Sequence, residues 1–233
     1  MTESLGALHQ ELARVVLVDR ELSEVLDEIV RIARRAIPGS EATSITLIRE
    51  DRGFTAACDG QLAMDADELQ YERGYGPCLD AGRSGELFVV TDMGTEERWP
   101  DYAAHVAKLG VRSSLSVPLP FQGASIGALN NYARQPVAFG ERDVALGEEV
   151  AAFVAIAVGN AEAAARATDD VANMRRAMAS RAVIEQAKGI LMERYKITSE
   201  QAFTLLTHAS QRSNVKLRDV AEELTATGVL HGS

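Results

Sequence analysis

The stretch RAVIEQAKGILMERYKITSEQAFTLLTHASQRSNVKLRDVAEELTATG, residues 181–228, carries a surface chemistry that its apolar spacing does not require. Its punctuation predicts three short helices. In the first, Ile184, Ala187, Ile190 and Leu191 form one stripe that runs to Tyr195, where Ile197, Thr198 and Ser199 interrupt it. Thr198 and Gln201 are spaced as a capping box ahead of Ala202, Phe203, Leu205, Leu206 and Ala209. Asn214 is placed to cap a third helix that buries Leu217, Val220, Ala221 and Leu224 and ends where Gly228 can turn left-handed. Ile184, Ala187, Leu191, Phe203, Leu206 and Val220 are assigned to packing. A three-helix unit of this size has a marginal core by itself.

Charge separates this segment from the rest. Residues 171–227 hold nine Lys and Arg against six Asp and Glu, net +3, in a chain whose formal net charge is −10, so the remainder stands at −13. A small basic module on an acidic body suits a polyanion partner, because phosphates attract the module while the body discourages indiscriminate adhesion. Solvated helix faces give similar counts, so charge points to a polyanion without identifying it.

The residues go further. VIEQAKGILM, then SEQAFTLLTHAS, then SNVKLRDVAEEL resemble the ANTAR family, RNA-binding modules of bacterial transcription antitermination regulators, across essentially the whole segment. Gly189 sits inside the first helix at a cost of about 1 kcal/mol relative to Ala. Close approach by a neighbouring helix or by RNA would explain it, with Lys188 beside it to meet a phosphate. The resemblance implies RNA contacts from Arg181, Lys188, Arg212, Lys216 and Arg218, with Gln186 and Ser210 as polar contacts and Gly189 as the point of approach. Arg181 and Lys188, seven residues apart, fall along one face offset from the core stripe.

The whole chain of 233 residues suits one domain of about 150 residues plus a smaller one. Its hydrophobic fraction of 46% and charged fraction of 25% are those of a soluble globular protein. No segment requires a membrane: the longest apolar run, VAAFVAIAV at 150–158, is half a spanning length, and the amino terminus lacks a signal-peptide pattern. Cys58 and Cys78 are too few for a disulfide framework, which leaves cytoplasm as the default location.

Residues 4–36 read as a helix, through Leu5, Leu8, Leu12, Val15, Val16, Leu22, Leu26, Ile29 and Ile32, with a polar break near Asp19 and Arg20. TSITLIRE and GFTAACDG flank a hairpin signal at Asp51, Arg52 and Gly53. Residues 61–85 mix helix formers with Gly74, Gly76, Pro77, Gly82 and Gly85, predicting a loop and short helix that cover something. LFVVTDM reads as a strand, RWPDYAAHVAKLG as a short helix, and VRSSLSVPLP as a strand placed at an edge by Pro118 and Pro120. After a turn at Gln122 and Gly123, SIGALNNYAR forms the last strand before a long helix. This order excludes a regular βαβ repeat and predicts an α+β domain with an antiparallel sheet.

That order, with GYGPCLDAGRSGELFVVTD, RWPDYAAHVAKLGVRSSLSVPL and IGALNNYARQPVAFGERDVALGEEVAAFVAIAVGNA, resembles a GAF domain of the kind found ahead of ANTAR modules in actinobacteria. The implied layout is a GAF sensor domain over 1–165, a helical linker over 166–180, and a three-helix ANTAR domain over 171–228. GAF domains host unrelated ligands, so fold does not name the cofactor, which stays unknown. The cyclic-nucleotide pattern Asn-Lys-x-x-Phe-Asp is missing, with Asn130, Asn131 and Phe139 its nearest approach, and no bilin-attaching Cys-His pair is present. His9, His105, His208 and His231 are scattered, which gives no metal-ligand spacing. Gly74, Tyr75, Gly76 and Pro77 match a phosphate loop only weakly. A small-molecule pocket is placed under residues 69–85 and Tyr132, with Leu69, Tyr75, Cys78, Leu79 and Tyr132 lining it. Some GAF-fold enzymes reduce free methionine sulfoxide with cysteine thiols. Here both cysteines read more simply as small buried hydrophobes, and no catalytic residues are assigned.

From Asp143 to Tyr195 no proline intervenes, so one helix could join the two domains. Val150, Val154, Ala157, Ala161, Ala164, Thr168, Val171, Met178 and Ala182 keep four-three spacing and predict a coiled-coil seam between two chains. Burial against the same chain's sheet accounts equally well for the first half of that seam, but not for 164–182. The expected protein is a dimeric, cytoplasmic, signal-responsive regulator whose ANTAR module binds paired stem-loops in a nascent mRNA leader and prevents terminator formation. DNA binding, protein docking and, further off, a free methionine sulfoxide reductase are the alternatives.

Overall fold

The computed structural model describes residues 2–15 and 20–230, with the backbone alone for 2–5; Val16, the side chain of Leu5 and His231 lie outside that description. The chain divides into two compact units, residues 1–163 and 164–233. In the first, the amino-terminal apolar pattern forms α1 (Thr2–Leu12) and α2 (Leu22–Ala36). Val25, Leu26, Ile29, Val30, Ile32 and Ala33 make the buried stripe of α2.

Five antiparallel strands follow in the order β2-β1-β5-β4-β3: β1 (Ala42–Arg49), β2 (Arg52–Asp59), β3 (Phe88–Val90), β4 (Ser113–Phe121) and β5 (Ala124–Ala133). The first hairpin turns one residue earlier than its Gly suggests. Arg49 pairs with Arg52, leaving Glu50 and Asp51 as a two-residue turn at φ 49° and 65°. Gly53 is instead a strand residue whose missing side chain admits Leu79 and Tyr71. The second hairpin turns at Gln122 and Gly123, as the sequence predicts, with Phe121 paired to Ala124.

The prolines mislead in one respect: β4 is not an edge strand, since it lies between β5 and β3. However, β3 covers only Ser114–Ser116 of it, so Pro118 and Pro120 sit where that side of the ladder has ended and their missing N–H groups cost nothing. The segment expected as loop and short helix forms two helices, α3 (Gln61–Arg73) and α4 (Pro77–Ser84), each stopped by a left-handed glycine, Gly74 and Gly85. With α5 (Pro100–Val106), they cover one face of the sheet.

Strand pairing assigns the two faces. Ile45, Leu47, Leu115, Val117 and Leu129 point toward α2 and the start of α6 (Glu141–Tyr195) and share a core with Leu146, Val150 and Val154. Close approach is also required between neighbouring strands, where a Cβ on Gly127 of β5 would lie 2.0 Å from the Thr46 carbonyl oxygen of β1. Gly127→Ala is therefore expected to destabilise this unit by about 1 to 3 kcal/mol, because backbone cannot step aside as a side chain can. A denaturation midpoint unchanged from wild type would disprove that contact.

The second unit contains the remainder of α6 with α7 (Ser199–Ser213) and α8 (Leu217–Thr227). Ala187, Leu191, Ala202, Leu206, Ala209, Val220, Ala221 and Leu224 form its core. The capping box forms as spaced: the Gln201 N–H donates to Thr198 Oγ1 at 3.2 Å and the Thr198 N–H to Gln201 Oε1 at 2.9 Å. Two assignments change. Phe203, expected in the core, is 45% exposed, because Ala202 and Leu206 take the inward positions of α7. Asn214 does not open α8; it closes α7 in the left-handed conformation at φ 54°, a role Asn tolerates, and Lys216 precedes α8 without a side-chain cap.

Candidate functional site

The sheet face under α3, α4 and α5 is polar although it is buried. Ser44 and Thr46 of β1, Asn130 and Tyr132 of β5, and Ser114 and Ser116 of β4 alternate with the core residues above, and register puts Ser116 and Ser44 on either side of Asn130. Asn130 Nδ2 lies 3.1 Å from Thr46 Oγ1 and from Cys78 Sγ, and 3.3 Å from Ser44 Oγ. Among the described residues, Ser114 Oγ, Ser116 Oγ and Asn130 Oδ1 on this face have no hydrogen-bond partner. Unpaired buried polar atoms are costly, so this row is the candidate site for a polar ligand.

α3 supplies the rest of the network. Gln70 Nε2 donates to the Tyr132 and Tyr102 hydroxyls at 3.2 and 3.3 Å, and its Oε1 accepts the Cys78 N–H at 2.8 Å. That last contact needs Gly76, where a Cβ would fall 2.3 Å from Gln70 Oε1. The Tyr132 hydroxyl donates to Asp67 Oδ1 at 2.6 Å and Thr55 Oγ1 to Oδ2 at 3.0 Å. Burial raises the Asp67 carboxyl to about 6 despite these donors. Burial also pushes the Cys78 thiol well up, with Asp67 adding to it, so Cys78 is a neutral thiol rather than a nucleophilic thiolate.

Of the residues expected at a pocket, Leu69, Tyr75 and Tyr132 come together beneath α3 and α5, and Cys78 joins the polar row through Asn130. Leu79 goes elsewhere, lining a 320 Å³ cavity with Tyr71, Gly53, Gly74, Asp51, Arg52 and Arg83 beside the first hairpin. Asp67, Gln70, Tyr71 and Tyr102, with the serine row, were not expected. The signal was present as polar residues at period two in three strands, SxS in β4 and NxY in β5 among them. Cys58 lies half-buried on β2 and both cysteines are free. No cluster of three or more His, Cys, Asp or Glu among the described residues is gathered for a metal.

In the second unit, Arg181, Arg212 and Lys216 are exposed and make no ion pair among the described residues. Three of the other proposed contacts, Lys188, Arg218 and Ser210, are occupied. The Lys188 side chain is only 13% exposed and gives its ammonium to both Glu185 oxygens at 2.8 and 2.9 Å. Arg218 pairs with Asp219 and Glu222, and Ser210 Oγ donates to the Val215 carbonyl at 2.6 Å, fixing the turn after α7. Gln186 and Gly189 are exposed. The seam needs correction at its start: Val150, Val154 and Ala157 are 0%, 0% and 2% exposed inside the first unit's own core, so they cannot face a second chain. Ala161 is half-buried, and Ala164, Val171 and Met178 are exposed, Val171 at 50% and Met178 at 68%. Half of the apolar window of α6 that is long enough to cross a membrane is buried inside the protein.

A sequence model of the GAF domain matches residues 19–159, and one of the ANTAR domain matches residues 172–224. No curated protein matches the chain. Among solved structures, the GAF domain from an Acinetobacter phosphoenolpyruvate-protein phosphotransferase superimposes with a TM-score of 0.57 at 20% identity, over 70% of this chain and 96% of that one. The free methionine-R-sulfoxide reductase of Neisseria meningitidis, solved with its substrate, gives 0.55 at 22% identity, over 69% and 91%. A second phosphotransferase GAF domain, from Coxiella burnetii, gives 0.54 at 19% identity, over 71% and 98%. At these identities the likeness is one of fold.

Proposed function

We propose, for a chain that belongs to the GAF domain family and carries an ANTAR domain behind it, a signal-responsive antitermination regulator that binds paired RNA stem-loops in nascent leaders. The observation that carries this reading is the ANTAR match over a segment whose Arg181, Arg212 and Lys216 stand exposed and unpaired among the described residues. Cations held by no carboxylate are available to release counterions from a phosphate track. A second copy, joined along the exposed 164–178 stripe of α6, would bring a second module to a second hairpin and raise its effective concentration there. The location is cytoplasmic, where transcripts are made.

The buried polar face supports a small polar ligand for the GAF domain, read as a signal rather than turned over. A reductase would need a reactive thiolate, and Cys78 is held as a thiol under burial. Small-molecule binding should raise the melting temperature of the first unit by mass action.

Arg212→Ala combined with Lys216→Ala is expected to leave helix content intact, weaken binding to a stem-loop pair, and reduce the slope of log affinity against log salt by about 0.7 to 0.9 per lost contact. Filter binding to stem-loop pairs, duplex RNA and duplex DNA measures this. Equal affinity for duplex DNA would replace the RNA reading with a DNA one. Binding to none of the three would leave protein docking.

A further inference from the structure

Gly189 is a glycine that nothing within its own chain requires. It lies inside α6, and a Cβ built there meets no atom within 4 Å. Neither a neighbouring helix nor a left-handed backbone demands it, so Ala would fit and would favour the helix by about 1 kcal/mol. The missing side chain leaves bare helix backbone on one wall of an open groove of about 830 Å³, lined by Gln186, Gly189, Ile190, Glu193, Arg194 and Thr225.

We infer that this groove seats one unstacked base of the bound RNA loop, a deepening that rests on the RNA-binding reading above. Gln186, Gly189 and Glu193 fall on one face of α6 by their spacing, and Thr225 of α8 closes the opposite wall. Arg194 Nη1 donates to the Gly228 carbonyl at 2.7 Å, which holds the guanidinium as a fixed plane. A flat ring can lie against that plane and the bare helix backbone at Gly189. The Gln186 amide offers a donor and an acceptor, and the Glu193 carboxylate an acceptor, to the edge of the ring. Charge selects the occupant. The Glu193 carboxylate in the lining offsets part of the attraction of Arg194 for a phosphate, whereas a neutral heterocycle with a hydrogen-bonding edge uses both groups. The Glu193 pairing with Lys196 at 2.5 Å does not close the site, because the two side chains are 83% and 72% exposed and such pairs are weak.

The test uses the full chain and an RNA carrying two stem-loops whose loop sequence is first selected from a randomised pool by the wild-type protein. Abasic substitutions are then placed at each loop position. Gly189→Ala is expected to melt no lower than wild type and to keep the wild-type salt slope, yet to bind about 10-fold or more weakly, the loss of one stacked base. At one loop position, the abasic change that weakens wild type by that factor should cost Gly189→Ala nothing. Gln186→Ala, an exposed change that cannot unfold the unit, should reduce base preference at the same position. Unchanged affinity and base sensitivity in Gly189→Ala, on an RNA the wild type binds, overturns the groove assignment and leaves RNA binding standing. Failure of the wild type to bind any pool member overturns both.

Discussion

Val154→Lys is expected to abolish cooperative folding of the sensor unit, while Val171→Lys, on the same helix, should leave it folded and weaken the dimer proposed above. Val154 is 0% exposed within the core formed by α2, the sheet and the start of α6. An ammonium there must either stay charged without a partner or give up its proton at a pKa lowered by up to about 3 to 5 units. At about 1.4 kcal/mol per unit this approaches the whole stability of a domain. Val171 is half exposed, so a lysine there reaches water at no cost to folding. Paired with Met178→Lys, it sets like charges across the stripe proposed to join two copies. Circular dichroism melting and sedimentation separate the outcomes. A Val154→Lys protein with a wild-type melt would contradict the burial, and a Val171→Lys, Met178→Lys double variant still dimeric at micromolar concentration would remove the stripe as an interface.

The second large effect is a pH dependence. Asp67 is fully buried and its carboxyl is raised from 3.8 to about 6, desolvation being the main cause. Between those values the folded protein holds a proton that the unfolded chain has released, so stability falls as pH rises through 4 to 6 and is level above it. The roughly two-unit gap corresponds to about 3 kcal/mol. Asp67→Asn should flatten that part of the profile and recover much of the difference at pH 7, less the loss of one of the two donors, Tyr132 and Thr55, that the carboxylate accepts from. Urea midpoints from pH 4 to 7.5 measure it. Equal slopes for the two proteins would show that Asp67 does not carry the proton. A ligand bearing a cation would favour the ionised carboxylate and lower its pKa, which the same titration detects.

Much of this was legible in the residues alone. Alternation in TSITLIRE and GFTAACDG, the turn at Gln122 and Gly123, the Thr198 and Gln201 capping box and the left-handed Gly228 are local features, each settled within a few residues of itself. The long α6 followed from the absence of proline, and the two families from motifs that stand intact in the chain. Local chemistry also has local failures. Asn214 suits both ends of a helix, and only the course of the chain after α7 made it a C-terminal cap.

Tertiary structure decided the rest, because burial is a property of what comes opposite. The four-three spacing of Val150, Val154 and Ala157 fits a partner helix or a sheet equally well, and the sheet of the same chain took them. Phe203 has the apolarity of a core residue, but α7 presents Ala202 and Leu206 to the small space available. Lys188 reads as a free cation until Glu185, one turn away, is seen to hold it. The polar sheet face was written as serines, threonines and asparagines scattered over three strands. Only register brought Ser116, Asn130 and Ser44 side by side beneath Gln70 and Asp67, since pairing across a sheet depends on residues tens of positions apart. The sequence determined which segments become helix or strand and what chemistry they carry; the fold chose which of those groups meet each other and which are left to meet a ligand.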